Sequence, residues 1–302
     1  MIITQFITQR VQQYATSVHF HSMRLYCLFF HSSLLQPVEG TFFSIGLVSH
    51  RSAEMTAHNL SKKMEVQKDK DLCDMVAQFQ ATTDSGEWKQ GRGATKPHMR
   101  HIRQRRSWDC GMACVQMVVH LHNDHPTWKE MYQICNTSSI WTVHLSSMLL
   151  QRGVQHSIVT TCAGVNQDLE SMSFYRAHIE KEKEEVLTLF EASVHAGIKI
   201  IERGFTANEF RQLLLKRRVV LILLVDNRGL RCIECGCMKR NWLSCSFTGH
   251  YVVVSSYDKE RNAFVYHDPA ERRVTTCWMS MEDFDRCRLV KGTDEDVVIV
   301  PY

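Results

Sequence analysis

Cys110 stands where the loop from Gln104 through Trp108 and Asp109 runs into the apolar-rich stretch 110–122, and a thiol at such an entry point can act as a nucleophile. Asp109 is a preferred helix N-cap residue, and Ala113, Val115, Met117, Val118 and Leu121 recur along one apolar face, so the spacing predicts a helix that begins at the cysteine. In a first helical turn the unpaired backbone N–H groups and the positive end of the helix dipole favour thiolate over thiol. Gly111 removes a Cβ where a substrate backbone would come close. Gln104 offers a side-chain amide to an oxyanion, with the N–H of Cys110 as second donor. The competing reading is a buried structural cysteine, like Cys114 one turn later; a histidine and a carboxylate downstream would decide between them.

Both are present. His250 opens an apolar strand pattern at 251–257, and Asp268 follows a second pattern at 262–267, with turn residues at 258–262 between them. A hairpin about that turn brings positions near 250 opposite positions near 268. The imidazole would then take the thiol proton and the carboxylate would orient the ring, which is the base-and-orienter arrangement of covalent catalysis. A histidine at a strand end is by itself more often structural; the joint occurrence of four such residues favours chemistry.

The elements that must position these residues can be read along the chain. Residues 1–95 hold no sustained period and read as a disordered leader, apart from a helical piece at 71–79; Met55 and Met64 allow a shorter translated form. From 96 to 302 the patterns predict helices over 110–122, 128–135, a stretch through Leu145 to Leu150 stopped by Gly153, 178–196, and 206–216 behind the capping box of Thr206 and Glu209. Strands are expected at 154–161, 198–202, 219–225, 251–257, 262–267 and 297–300, with 219–225 buried on both faces. Helices come mainly first and strands mainly second, an α+β pattern.

Composition narrows the class. The 302 residues are 44% apolar, enough for a sizeable core, and the net charge of +4 is mild. Lys and Arg are interleaved with acids except around Arg100, Arg103, Arg105 and Arg106, so composition argues against a nucleic-acid partner. Twelve irregularly spaced cysteines without a secretory signal suit reduced thiols and an intracellular setting, cytoplasm or nucleus. Residues 25–48 lack Lys and Arg, but His31, Gln36, Pro37 and Glu39 interrupt them, so no membrane span is expected. Cys232, Cys235, Cys237 and Cys245 form a dense cluster that zinc would suit, against the alternative of free thiols in an exposed insertion.

The order Gln104, Asp109-Cys110-Gly111, Gly249-His250-Tyr251, Asp268-Pro269 resembles the peptidase C39-like branch of the papain-like cysteine peptidases. More narrowly, Trp108 to Gly111, Ser139 to Thr142, Ser173 to Arg176, Gly249 to Val252, Asp268 to Ala270 and Gly292 to Asp296 resemble the guanylyl cyclase domain-containing protein family. That resemblance, over about 104–302, implies a papain-like domain in which Cys110 is nucleophile, His250 general base, Asp268 orienter and Gln104 oxyanion donor.

The family name implies a second activity, formation of cyclic GMP from GTP with a divalent metal. No Walker spacing supports it, Gly91 and Gly93 follow no strand, and Arg176, Asp226 and Asp294 are the residues a nucleotide would use if they are not structural. The sequence therefore predicts a thiol hydrolase or acyl-transfer enzyme acting on a peptide, isopeptide or other amide, needing no cofactor. A guanylyl cyclase and a non-catalytic interaction module are the alternatives.

Overall fold

Val219–Asp226, the third strand, is eight residues long and buried throughout, and everything that positions the site is arranged about it. In the computed structural model the described residues are 72–73 and 97–302, except 136, 138, 177–178, 236–245 and 273–275. All of them belong to one unit, Thr56–Tyr302.

In chain order the helices are α1 (Cys110–Val119), α2 (Trp128–Cys135), α3 (Thr142–Gln151), α4 (Ser173–Arg176), α5 (Ile179–His195), α6 (Ala207–Lys216) and α7 (Met281–Arg288). The strands are β1 (Ser157–Thr160), β2 (Lys199–Glu202), β3 (Val219–Asp226), β4 (Gly249–Asp258), β5 (Ala263–His267), β6 (Cys277–Ser280) and β7 (Val297–Pro301). They make one seven-stranded sheet in the order β2-β1-β7-β3-β4-β5-β6. Only β1 and β2 pair in parallel; the other neighbours are antiparallel. The architecture is thus α+β, with a mostly antiparallel sheet.

Strand alternation sorts the core into two layers. Val220, Ile222 and Leu224 of β3, Tyr251 and Val253 of β4, and Val298 and Val300 of β7 pack with Met112, Val115 and Val119 of α1 and Leu145 and Leu149 of α3. Leu221, Leu223 and Val225, with Val252, Val254, Val297 and Ile299, meet Phe210 and Leu213 of α6 and Phe284 of α7 on the other face. A strand with apolar residues at every position can only sit between two such layers. Leu72 and Cys73 are helical and buried in this second layer; the remainder of 1–95, including Met55, Met64, Gly91 and Gly93, lies outside the described residues.

Every residue of α1 is buried, so this helix is the central element of the first layer. Gly111 is needed there for packing: a Cβ would come 2.7 Å from Cδ2 of Leu145, 3.1 Å from the Tyr251 ring and 3.2 Å from Ile140. The residue faces the core, and not a substrate backbone as its place beside Cys110 suggests. Gly111→Ala gains up to about 1 kcal/mol of helix propensity. Three simultaneous close contacts in a packed core outweigh that gain, with overpacking costs of about 1–3 kcal/mol. The variant is expected to unfold several degrees below the parent in a thermal melt.

One irregularity matters for the site. Asp258↔Ala263, Tyr257↔Phe264 and Ser256↔Val265 share one register, whereas Val254↔Tyr266 and Val253↔His267 are offset by one residue, leaving Ser255 as the bulged residue. Its hydroxyl bonds the His267 ring at 3.0 Å. Continued by one position, the shifted register sets Asp268 beside Val252, two residues along from His250 on the same side of the ribbon. Without the bulge Asp268 would fall across from Val253, on the opposite side.

Candidate functional site

Asp109 precedes α1 but caps nothing with its side chain. Its buried carboxylate accepts the N–H groups of Arg105 and Arg106 at 3.1 and 2.9 Å and the Tyr132 hydroxyl at 2.6 Å. The expected N-cap thus folds the preceding loop back on itself and ties it to α2. A second tie runs from the Gln104 N–H to the Pro269 carbonyl, 2.9 Å, so the loop before Cys110 is fastened directly beside Asp268.

Cys110, His250 and Asp268 come together as the sequence predicts. The His250 Nε2 lies 2.7 Å from Asp268 Oδ1, both residues being buried, and the ring also hydrogen-bonds the Cys110 thiol. Asp268 is itself fixed by the Ala270 N–H at 2.9 Å. Burial alone would push the Cys110 thiol up; the His250 charge, the hydrogen bond from its ring and the N–H groups of Tyr251 and Gly111 outweigh it and bring the thiol below its ordinary value. For His250 burial works toward the neutral ring, but the charges of Asp268 and Cys110 and its two hydrogen bonds push it up to about 9. A lowered thiol facing a raised imidazole shifts the pair toward thiolate and imidazolium.

Chemical modification can read this difference. Burial holds Cys114, Cys135, Cys162, Cys277 and Cys287 above the ordinary thiol value. At pH 6.5 iodoacetamide is expected to label Cys110 ahead of these five, by peptide mass spectrometry. Asp268→Asn should slow that labelling at least tenfold, because the imidazolium loses its counter-charge.

Gln104 lies outside the pocket next to Cys110. Its amide donates to the Arg106 carbonyl at 2.7 Å, so its donor is engaged within the loop rather than aimed at an oxyanion.

Cys110 opens onto a pocket of about 320 Å³. Trp141, Phe174, Tyr175 and Tyr251 give it aromatic walls, and Thr142, Asp294 and Asp296 give it a polar floor. Trp141 is a wall whose indole N–H is held by Glu182 at 2.6 Å. The Tyr251 hydroxyl meets that of Thr142 at 2.9 Å, and Thr142 and Thr160 both hydrogen-bond Asp296. Burial, only partly countered by those threonines and reinforced by Asp294, pushes the Asp296 carboxyl up to about 7. Asp294 is raised as well, chiefly by burial, while Asn166 donates to it at 2.8 Å.

The segment carrying the two aspartates is held under strain. Asp294 and Glu295 have φ of 45° and 53°, a region that non-glycine residues enter at a cost of about 1 kcal/mol or more each. Arg288, buried at the end of α7, pairs with Glu295 at 3.0 Å, and the Tyr175 hydroxyl donates to the Gly292 carbonyl at 2.5 Å.

Of the three residues weighed as nucleotide contacts and read as more often structural, only Asp294 reaches the pocket. Asp226 is buried against Arg228 at 2.5 Å, and Arg176 is exposed, donating to the Ser171 carbonyl at 3.2 Å. Asp296 was not singled out from the sequence, although it closes the Gly292 to Asp296 run. In the cysteine cluster Cys232 and Cys235 meet Cys277, while Cys237 and Cys245 lie outside the described residues.

Fold and site define an α+β domain in which a helix-borne cysteine, paired to a strand-borne histidine, faces an aromatic pocket with an acidic floor. Residues 99–300 match the guanylylate cyclase family, and the chain belongs to it. It is also 33% identical to "Guanylyl cyclase 1" of Arabidopsis thaliana, over 66% of this chain and 74% of that protein. Both findings correct the expectation of a thiol hydrolase. A thiol–imidazole pair specifies where a proton can go, not which bond is broken, and both matches are to guanylyl cyclases rather than peptidases. Among the described residues no helix is long and apolar enough to cross a membrane.

Proposed function

We propose that this protein is a guanylyl cyclase that converts GTP to cyclic GMP and pyrophosphate in the pocket beside Cys110. The observation that carries the reading is that the family match spans every residue lining that pocket. The volume suits a nucleoside, ligand sites being on the order of 300–1,000 Å³, and Trp141, Phe174 and Tyr175 offer faces for a purine. No lining residue is Lys or Arg, but Ser107 and Trp108 form the mouth and exposed Arg105 and Arg106 precede them, where phosphates would project. The domain is proposed to be papain-like and to span 96–302, a reading supported by the cysteine at a helix start packed on an antiparallel sheet that carries the histidine.

Cyclisation forms the bond from ribose O3′ to the α-phosphorus and breaks the bond from that phosphorus to the pyrophosphate oxygen. The O3′ proton must leave as this happens. His250 is not among the residues lining the pocket, whereas Cys110 is, so the Cys110 sulfur is the proton acceptor, with His250 and Asp268 favouring its ionised form. Over the reaction the hydroxyl proton departs with pyrophosphate and the thiolate is restored. Tyr251 and Thr142 would orient the ribose.

The two carboxyl groups of Asp294 and Asp296 fit a divalent cation, since hard oxygen donors raised by burial gain most from a cation beside them. When bound, Mg²⁺ or Mn²⁺ would neutralise phosphate charge.

The test is turnover by the full chain with GTP and Mg²⁺ or Mn²⁺, read by mass spectrometry. Cyclic GMP and pyrophosphate should appear in equal amounts, with ATP converted far more slowly. Intact GTP after prolonged incubation with either metal would overturn the reading.

A further inference from the structure

Away from the pocket, three sulfurs converge at the outer end of the sheet. The Sγ atoms of Cys232, Cys235 and Cys277 all lie within 4.8 Å of one another. Two come from a Cys-x-x-Cys turn after β3, and the third opens β6. The turn is stitched to the strands by two bonds: the Ile233 N–H donates to the Trp278 carbonyl at 2.9 Å, and the Tyr266 hydroxyl donates to the Arg231 carbonyl at 3.2 Å. Tyr266 is in turn the register partner of Cys277. Glu234, between the two turn cysteines, is paired to Arg261 at 2.5 Å, and that guanidinium lies 4.9 Å from the Trp278 ring centroid. These contacts hold the turn against β6 independently of any bond between sulfurs. Cys232 and Cys277 are buried free thiols, whereas Cys235 is exposed and disulfide-bonded.

We propose that Cys232, Cys235 and Cys277 form a redox-gated zinc site: reduction of the Cys235 disulfide by a thiol or phosphine creates three thiolate donors that take one Zn²⁺. Reduction supplies two electrons and two protons to the disulfide and leaves two thiols, the reductant ending as its own disulfide or phosphine oxide. Metal binding then displaces the protons of Cys232, Cys235 and Cys277 to solvent and forms three Zn–S bonds. Three sulfur donors, with a water completing the shell, select zinc over the hard cations suited to the aspartate floor of the pocket. While Cys235 is oxidised it cannot ligate, so oxidation and metal occupancy exclude each other. The consequence is mechanical as well: β6 is the outermost strand of the sheet and only four residues long, and the metal would tie it to the β3 end.

The experiment uses the full chain, reduced with a phosphine, exposed to Zn²⁺, freed of excess metal by gel filtration and assayed by plasma mass spectrometry. About one zinc per chain is expected, and with Co²⁺ instead the intense visible bands and thiolate charge transfer of tetrahedral sulfur ligation. Cys277→Ala and Cys232→Ser should each lose the metal; Cys287→Ala, a buried cysteine elsewhere in the core, should keep it. Prior oxidation with diamide should abolish uptake. Far-ultraviolet circular dichroism identifies any variant that fails to fold, and the other ligand variant then carries the test. Metal-free reduced parent protein, or unchanged zinc content in a folded Cys277→Ala or Cys232→Ser, would overturn the proposal. Neither result depends on the cyclase activity.

Discussion

Cys110→Ser is expected to lower kcat for cyclic GMP formation by about 10²–10⁴-fold, the span that a general base commonly contributes, with KM for GTP within about twofold of the parent. The serine hydroxyl is close to isosteric with the thiol but stays protonated at neutral pH, even beside an imidazolium. The variant therefore keeps the pocket and loses only the acceptor for the O3′ proton. Cys114→Ala is the matched control, since Cys114 sits one turn along the same helix, lines no part of the pocket and is held well above the ordinary thiol value by burial. It should cost stability and leave kcat within about twofold. If Cys110→Ser turned over GTP at the parental rate, the thiolate would not be the base, whatever its reactivity toward alkylating reagents.

The second large effect is expected at Asp296 and has opposite signs for stability and for activity. Its carboxyl rises from 3.8 to about 7 on folding, so the folded state disfavours the ionised form that predominates in the unfolded chain. Below about pH 4 the carboxyl is protonated in both states and nothing is lost. Between about pH 4 and 7 the penalty grows, and above 7 it is constant. At about 1.4 kcal/mol per pH unit the upper limit is about 4 kcal/mol. Part of the group still faces the pocket and is solvated there, so about 2 kcal/mol is the better expectation.

Asp296→Asn removes the charge and keeps an acceptor for Thr142 and Thr160. It should raise Tm at pH 8 by about 4–8 °C and leave Tm at pH 4 unchanged, as read by thermal melts at the two pH values. The same variant should lose most metal-dependent cyclic GMP formation, because one of the two carboxylates proposed to hold the cation is gone. An equal gain in Tm at both pH values would show that the ionised carboxyl is not what strains the parent.

The buried frame was legible in sequence wherever periodicity was strong. The continuous apolar run of β3, the capping box before α6 and the Gly153 stop after α3 all appear where the pattern placed them. β6 and α7 were not read: a four-residue strand has too few positions to show alternation, and α7 is mostly charged, with Phe284 and Cys287 its buried apolar contacts. For the site, residue type and order sufficed to group Cys110, His250 and Asp268, because a hairpin constrains both of the latter. Gln104 and Asp109 were assigned donors and caps by type, yet their hydrogen bonds depend on how the loop closes, which no local pattern records. Asp296 and Cys277 were missed for a related reason. Each takes its significance from residues distant in sequence, Thr142 and Thr160 for one, Cys232 and Cys235 for the other.

The hydrolase expectation failed at a different level. Cys110, His250 and Asp268 do lie in contact, but such a set is shared by many reactions, and the reacting bond is selected by whatever the pocket admits.

The bulge at Ser255 makes the integrity of this site a matter of counting. Side chains alternate between the two faces of a strand, so His250 and Asp268 meet or part according to whether an odd or even number of residues separates them along the ribbon. A point substitution at Ser255 changes the local fit by degrees and leaves that parity intact. Loss of one codon from the strand, or gain of one in its partner, would turn the aspartate to the other side of the sheet while sparing most of the backbone pairing. Such a protein would keep its core and its pocket and still lose the carboxylate that holds the histidine beside the thiol.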